Sequence, residues 1–452
     1  MTRSLKNLWD RFLFRDRGIV PTKRLLLAFL PLSALLLGAV IIKVSWLVIF
    51  SANVLFLALS LADLLFTPSR KELSFQRVFP DEMERGIPAR IEVLVANQSR
   101  HAFLFRFIDG VPQTFRQPFP ITGSANGLSE TIIPYETVAS VRGDYQIGNL
   151  FFRYRSSLGL WEKQVTPHLA DLVKVIPDLT ETRRYLENAQ QFLLHEGTAI
   201  RRKRMGEGDF AKVRSYVPGD DPRKINWRQT AKLHEVMANE YEPEHGKYIT
   251  LLIDCGRMMG AELKKGNRLE QVLESAMTVA AAVLQKGDYV SVLAFSKNIK
   301  VYVPPAKGMN HLQTILQAIY GLEVDPVEPN YGTVLQYLET VQKKRSLLLL
   351  FSDVRTFLYE ENTLVYLKRL RQRHLFFMVG IEDGTLKERI AMRPDEVKTA
   401  MIKSIGQQQE LLKQRGKNKW EKQGLQMVEA KEEHLAVTAI SHYIDIMNQN
   451  AL

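Results

Sequence analysis

Three polar residues stand where an open α/β sheet would meet a ligand, at the carboxyl ends of apolar runs or in the turns beside them. Asp254 closes Tyr248 to Asp254 (YITLLID), Asp353 follows Leu347 to Ser352, and Thr333 lies in the turn Asn330-Tyr331-Gly332-Thr333. Carboxylates and a hydroxyl in such places either engage a ligand or cap and tether the loops they open. Cys255 lies beside Asp254, but no histidine is near it in sequence to activate it, and it reads as a small, partly buried thiol. As the only cysteine, it excludes an intrachain disulfide and a thiolate metal cluster. The nine histidines form no H-E-x-x-H, and the chain has neither a G-x-x-x-x-G-K-[ST] phosphate loop nor a G-x-S-x-G elbow. Without a recognised catalytic motif, the expectation is a binding protein rather than an enzyme.

A second concentration of chemistry lies upstream. It reads Gly206-Glu207-Gly208-Asp209-Phe210, then Arg214 and Tyr216, then Pro218-Gly219-Asp220-Asp221-Pro222-Arg223-Lys224-Ile225-Asn226-Trp227. Gly206 and Gly208 permit backbone shapes that other residues resist. The run from Pro218 to Pro222 is a strong turn. Arg214, Arg223 and Arg228 are within reach of Asp209, Asp220 and Asp221, and Trp227 offers a large apolar anchor. Such a segment serves either as a folded connector or as a surface turned toward a partner. Two glycines alone make a poor phosphate cradle.

The elements that must position these residues alternate in type. From Tyr248 onward, strand signals at Tyr248 to Asp254, Tyr289 to Phe295, Leu347 to Ser352, Leu375 to Val379 and Leu425 to Glu429 are separated by helical periodicities. Those periodicities cover Arg268 to Lys286, Asn310 to Leu322, Val334 to Lys343, Asn362 to Arg373 and Glu396 to Arg415, and His434 to Asn448 follows the last strand. That order predicts a doubly wound α/β domain over 248–452, with Ile299 to Val303 as a hairpin partner of the second strand. Residues 183–247 form the connector. Over 72–180 the pattern changes to short alternating runs, among them Ala89 to Val95, Phe103 to Ile108, Glu130 to Pro134 and Gly143 to Ile147, punctuated by Gly, Pro and Asn. This spacing predicts an antiparallel β-sandwich with a structural role.

The N-terminal part has the character of a membrane anchor. Residues 1–24 carry seven basic and two acidic side chains, and Ser4 to Arg15 reads as an amphipathic helix. Residues 25–66 are overwhelmingly apolar, about twice the length that one helical crossing needs. Two passes are expected, about Leu25 to Ile42 and about Val44 to Leu65, with Lys43, Ser45 and Trp46 at the far interface. Lys23 and Arg24 before the pair, and Arg70 and Lys71 after it, predict cytoplasmic ends and cytoplasmic soluble domains on a plasma-membrane protein. Asp63, about one turn from the end of the second pass, is expected to reach the headgroups. The net charge of +12 suits an anionic leaflet, and the lack of any nucleic-acid motif argues against DNA or RNA.

The stretch from Gly206 to Met259, with the layout of the whole chain, resembles the domain of unknown function 58 family. These are bacterial proteins that combine a transmembrane pair, this signature and a von Willebrand factor A-like domain. Asn226 departs from the aspartate that commonly precedes the tryptophan there. The triple Asp254, Thr333 and Asp353 resembles the metal-ion-dependent adhesion site of von Willebrand A domains, in which a D-x-S-x-S loop, a threonine and a later aspartate surround magnesium with oxygens. Here Gly256 and Met258 stand where the two serines would be, so two hydroxyl ligands are missing and magnesium is poorly served. Arg257 is a candidate counter-ion for the vacated place. The family resemblance implies a membrane-anchored scaffold acting with a cytoplasmic AAA ATPase of the MoxR class, in the assembly or maturation of envelope or metalloenzyme complexes. Two other readings stay open: a metal-dependent hydrolase using Asp254 and Asp353, and a purely structural envelope protein.

Overall fold

The computed structural model describes residues 18–196, 209–218, 220–242, 246–360 and 363–448. It divides into two compact units, Met1–Ile176 and Pro177–Leu452. The segment Ser4 to Arg15 lies outside the described residues.

In the first unit a short strand, β1 (Ile19–Pro21), runs into two apolar helices, α1 (Lys23–Ile41) and α2 (Trp46–Ala62). The first, and the stretch Trp46–Glu72 that the second opens, are long and apolar enough to cross a membrane. At 1.5 Å per residue α1 and α2 each span roughly 25–29 Å, close to the thickness of a bilayer's hydrocarbon layer. Leu26, Leu30, Leu37, Leu47, Phe50 and Leu55 all turn outward. The two helices fold back on each other, with the Phe29 and Phe56 rings 5.7 Å apart. No glycine makes the turn between them. Instead Lys43 itself adopts φ 59°, and the N–H groups of Ile42, Lys43 and Val44 return to the carbonyls of Gly38, Val40 and Ala39.

Both ends of this hairpin are tied to one loop, 156–163. On the incoming side, Thr22 donates through Oγ1 to the Gly159 carbonyl at 2.6 Å and through its N–H to Leu160. On the outgoing side, Asp63 is buried, 1% exposed, and accepts from the Ser156 hydroxyl, from Leu160 N–H at 2.8 Å and from Trp161 N–H at 3.3 Å. Lys163 adds bonds from Nζ to the carbonyls of Leu64, Thr67 and Pro68 at 3.2, 2.8 and 3.2 Å. The expectation that Asp63 reaches headgroups is therefore corrected. Its oxygens satisfy the buried Ser156 hydroxyl and two part-buried loop N–H groups, and a donor left unpaired away from water is costly.

Beyond the hairpin come β2 (Leu73–Val78), β3 (Glu82–Glu84), β4 (Pro88–Asn97), β5 (Phe103–Asp109), β6 (Ile121–Ala125), β7 (Ser129–Val138), β8 (Gly143–Arg155), β9 (Trp161–Val165) and β10 (His168–Ile176). They form a three-stranded sheet, β2-β4-β7, and a larger one in the order β1-β9-β8-β10-β3, with β5 on β8 and β6 on β5. The pairings are antiparallel except β3 with β10, which is parallel. Alternation along the strands sends Ile91, Val93 and Val95 of one sheet against Phe103, Phe105, Phe152 and Tyr154 of the other. Arg77 fixes the register from within. It pairs with Asp109 and, at 2.8 Å, with Asp171, and it donates to the carbonyls of Ile147 and Leu169.

The second unit begins with α3 (Thr180–Glu196), followed by β11 (Asp209–Ser215), α4 (Trp227–Leu233) and β12 (Met237–Glu242), with β11 and β12 paired antiparallel. Then come β13 (Tyr248–Asp254), a tiny hairpin of β14 (Glu262–Leu263) and β15 (Gly266–Asn267), α5 (Arg268–Gln285), β16 (Tyr289–Phe295), β17 (Ile299–Ala306), α6 (Asn310–Ile319), α7 (Tyr331–Val341) and β18 (Ser346–Phe351). The chain ends with α8 (Val354–Tyr359), α9 (Thr363–Arg371), β19 (Leu375–Ile381), α10 (Gly384–Ala391), α11 (Val397–Glu421), β20 (Gln426–Ala430) and α12 (Leu435–Asn448).

The sheet runs β17-β16-β13-β18-β19-β20, parallel throughout except for the edge strand β17. Leu252, Leu293, Leu350 and Met378 face the side covered by α7, α8, α9 and α11. On the other side α5 packs against β13 and β16, and α3, α6 and α12 enclose it, which is why nearly all of its residues are buried. The central strands are covered on both faces and so read as continuous apolar runs. This sheet brings Asp254 and Asp353 to the ends of adjacent strands.

Asp63→Ala should lower the stability of the full chain in detergent by about 2 kcal/mol, because it takes the acceptor from the buried Ser156 hydroxyl and from two part-buried N–H groups. Thermal unfolding checks this, and a midpoint equal to that of the wild type would contradict the anchoring role.

Candidate functional site

At the carboxyl end of β13, Asp254 is 1% exposed. Its Oδ1 accepts the Gly256 N–H at 2.7 Å, and its Oδ2 accepts the Ser352 hydroxyl at 2.5 Å and the Tyr331 hydroxyl at 3.4 Å. Tyr331 and Ser352 are themselves 2.8 Å apart, so the three groups close on one another. Burial pushes the Asp254 carboxyl up to about 6, an effect that the neighbouring Asp353 adds to and the hydrogen bonds from Ser352, Gly256 and Tyr331 oppose. Burial, and then the proximity of Asp254, hold the Tyr331 hydroxyl well above its ordinary value.

Asp353 is also turned inward. One of its oxygens pairs with the Arg268 guanidinium, and the other accepts both the N–H and the hydroxyl of Thr356 at 2.9 Å, capping α8. Arg268 opens α5 and is buried with its partner. Thr333 is exposed and its N–H caps α7 through Asn330 Oδ1 at 3.0 Å; among the described residues it bonds to neither carboxylate. The three residues singled out in the sequence thus separate into two buried aspartates, each locally satisfied, and an exposed threonine. Arg257 does not act as counter-ion here, because it pairs at the surface with Glu328 at 3.1 Å. Arg268 holds that place, and no motif announced it.

These residues do not fit a magnesium ion. A Cβ built on Gly256 would lie 2.8 Å from Pro329 Cδ and 3.0 Å from Asp254 Oδ1, so the loop carrying Pro329 fills the space a serine would need. Among the described residues no three His, Cys, Asp or Glu side chains converge. Cys255 is fully buried, with its N–H on the Phe295 carbonyl, as its small apolar character suggested.

The upstream cluster forms a separate module framed by β11 and β12. Arg214 grips Asp220 with two hydrogen bonds, at 2.7 and 2.8 Å. Asp220 Oδ2 also accepts the Val217 N–H at 3.0 Å, and Tyr216 donates its hydroxyl to the Asp220 carbonyl at 3.0 Å. The Arg214 hydrogen bonds, and then the Val217 N–H, lower the Asp220 carboxyl to about 2. Asp221 accepts the Arg223 N–H at 3.0 Å; among the described residues the side chains of Arg223 and Arg228 form no ion pair. Asn226 caps α4 by accepting the Gln229 N–H at 3.1 Å and donates its amide to Asn239 Oδ1 at 2.8 Å, a bond an aspartate could not give. Trp227 is not buried as an anchor but is 70% exposed, and Val217, Leu233 and Val236 are exposed in the same module. Gly206, Gly208 and Gly219 lie outside the described residues, as do the side chains of Asp209 and Phe210.

Residues 212–390 match the family model described as "Protein of unknown function DUF58". The match runs from β11 into α10 and so contains the Arg214–Asp220 module, Asp254, Thr333 and Asp353. The apolar hairpin and the N-terminal sheets lie before it. A relative in Bacillus subtilis (strain 168), "Uncharacterized protein YeaD", is 24% identical over 196 residues, covering 43% of this chain and 46% of that protein, less than half its length. Among solved structures, the conserved hypothetical protein BatB from Bacteroides thetaiotaomicron is 15% identical over 45% of this chain and 100% of that chain, with a TM-score of 0.30. The PapD-like domain 7 of human CEP192 is 15% identical over 23% of this chain and 85% of its own, with a TM-score of 0.18. Neither score reaches the level at which a common fold follows.

Two outcomes follow from this geometry. The folded chain protonates Asp254 more readily than the unfolded chain, so between about pH 4 and pH 6 the native state binds more protons and stability falls as pH rises. Asp254→Asn should remove that fall, gaining on the order of 2 kcal/mol over the wild type across the interval, and parallel pH profiles of thermal unfolding would contradict it. Gly256→Ser should cost about 1–3 kcal/mol through overpacking and create no magnesium affinity by calorimetry. Saturable magnesium binding by that variant would show that the space is available after all.

Proposed function

We propose that this chain is a membrane-anchored binding protein whose second unit is a von Willebrand A-type domain working without a metal ion. The α1–α2 pair crosses the bilayer twice, and both soluble units lie in the cytoplasm. The outward leucines support the crossing. Supporting one common side are the basic flanks Lys23–Arg24 and Arg70–Lys71 and the shared attachment of both helix ends to loop 156–163. The sheet order β17-β16-β13-β18-β19-β20, with one antiparallel edge strand, supports the domain type.

One observation carries the binding role: Trp227 stands 70% exposed on a frame held rigid by the Arg214–Asp220 fork. A large exposed aromatic on a fixed support is the profile of an interface anchor, since little order is lost when a partner covers it. Arg223, Lys224, Arg228 and Lys232 lie within five positions of it in sequence, while Asp220, Asp221 and Glu235 lie within eight, so its surroundings carry both signs of charge. The partner is a cytoplasmic AAA ATPase of the MoxR class, and the pair assists the assembly of envelope or metalloenzyme complexes. Neither strand-end carboxylate is left free for chemistry, since both are consumed in holding their loops.

With the purified ATPase, Trp227→Ala in the full chain should weaken binding about 30-fold, the loss typical of an aromatic hot spot, while the unfolding midpoint stays within error. Undiminished affinity, or no affinity in the wild type, would overturn the reading.

A further inference from the structure

In the first unit, beside the start of α1, lies a cavity of about 700 Å³. The segment Val20 to Arg24 forms one wall, and residues of β5, β6, β8 and β9 form the others. It is strongly cationic. Lys23, Arg24, Arg106 and Arg155 line it against one acid, Glu162, whose carboxylate is already taken by Arg106 at 2.7 Å. Arg24 spends one nitrogen on the carbonyls of Ser157 and Leu158, at 3.3 and 3.1 Å, which fixes the guanidinium and leaves its other N–H groups available. Among the described residues the side chains of Lys23 and Arg155 have no ion-pair or hydrogen-bond partner. Thr122 and Ser124 add hydroxyl donors to the wall.

Three cations with spare donors around one space call for an anion, and a phosphate is the group whose oxygens match both fork and point-charge donors. The cavity is also large enough for more than a bare phosphate. What surrounds it identifies the rest of the ligand. Leu26, Leu27 and Leu30, each more than half exposed, begin an apolar track just after Arg24, the last of these helix cations, and the buried Leu25. Leu30 is roughly 10 Å along the helix from Lys23. A soluble anion would use the charges and leave the track idle, whereas a lipid would use both.

We propose that this cavity holds the phosphate headgroup of an anionic glycerophospholipid whose acyl chains lie along α1. The proposal rests on the reading that α1 and α2 span a bilayer. The lipid then completes the junction that Thr22 and Asp63 begin, with its headgroup neutralising the cluster at the boundary.

The test is lipid titration of the full chain in mild detergent, followed by native mass spectrometry. Phosphatidylglycerol should bind more tightly than phosphatidylcholine. Arg155→Gln should reduce that preference on the order of five-fold, the effect of one basic residue at an anionic surface, and Lys71→Gln, a juxtamembrane cation outside the cavity, should leave it unchanged. Should Arg155→Gln fail to fold by its unfolding midpoint, Lys23→Gln, an exposed position, must show the same loss. Equal losses in Lys71→Gln and Arg155→Gln would assign the effect to diffuse charge and overturn the proposal. So would Arg155-dependent binding of inorganic phosphate with no preference between the two lipids, which would make this a soluble anion's site. Alkaline carbonate extraction separates the two readings. A chain that stays in the membrane yet shows no lipid preference refutes the headgroup site alone, and a chain that is extracted refutes the spanning hairpin and the site together.

Discussion

Everything in the first unit depends on one constraint: α1 and α2 turn leucine, isoleucine, valine and phenylalanine outward along their whole length. Each such side chain left in water forgoes roughly 1.5–3 kcal/mol, and none of the described elements covers them. In a bilayer the same surface is at no disadvantage, and the helices satisfy their own backbone groups. The polar parts of the unit are arranged around that boundary. Asp63, Thr22 and Lys163 are spent on one loop, and this joins a greasy hairpin to a β-rich body through hydrogen bonds at both helix ends.

In the second unit a different economy rules. The end of a parallel sheet is where ligands usually meet an α/β domain, and here that place is closed by the protein's own groups. Asp254 is held by a tyrosine, a serine and a backbone N–H, and Asp353 by a guanidinium and a threonine. A buried carboxylate needs a positive or hydrogen-bonding partner wherever it is found, and Arg268 supplies one positive charge to Asp353. The module between β11 and β12, by contrast, leaves Trp227 exposed, at a distance in sequence from the strand ends.

Much of this was legible in the sequence because the signals were periodic and long. The apolar runs from Tyr248, Tyr289, Leu347, Leu375 and Leu425 became β13, β16, β18, β19 and β20, and the helices between them fell close to their apolar repeats. The break in the hydrophobic segment came at Lys43, where charge rather than a turn motif marked it. What escaped depended on contacts between distant residues. Nothing near Asp63 in sequence points to Ser156 and Leu160, nothing near Gly256 points to Pro329, and Arg268 reads as an ordinary first residue of a helix. The sequence grouped Arg214, Arg223 and Arg228 with Asp209, Asp220 and Asp221 as able to pair, but only the folded turn selects Arg214 with Asp220.

The central claim is that the outward apolar hairpin crosses a bilayer and returns, leaving both soluble units on the side where the chain began. The single native cysteine, Cys255, is buried, so engineered thiols can report this with little background. A membrane-impermeant maleimide applied to intact cells should label Ser45→Cys, in the turn between the helices, and should label Lys431→Cys, in the second unit, only after lysis. Labelling of Lys431→Cys in intact cells, with Ser45→Cys protected, would contradict the account.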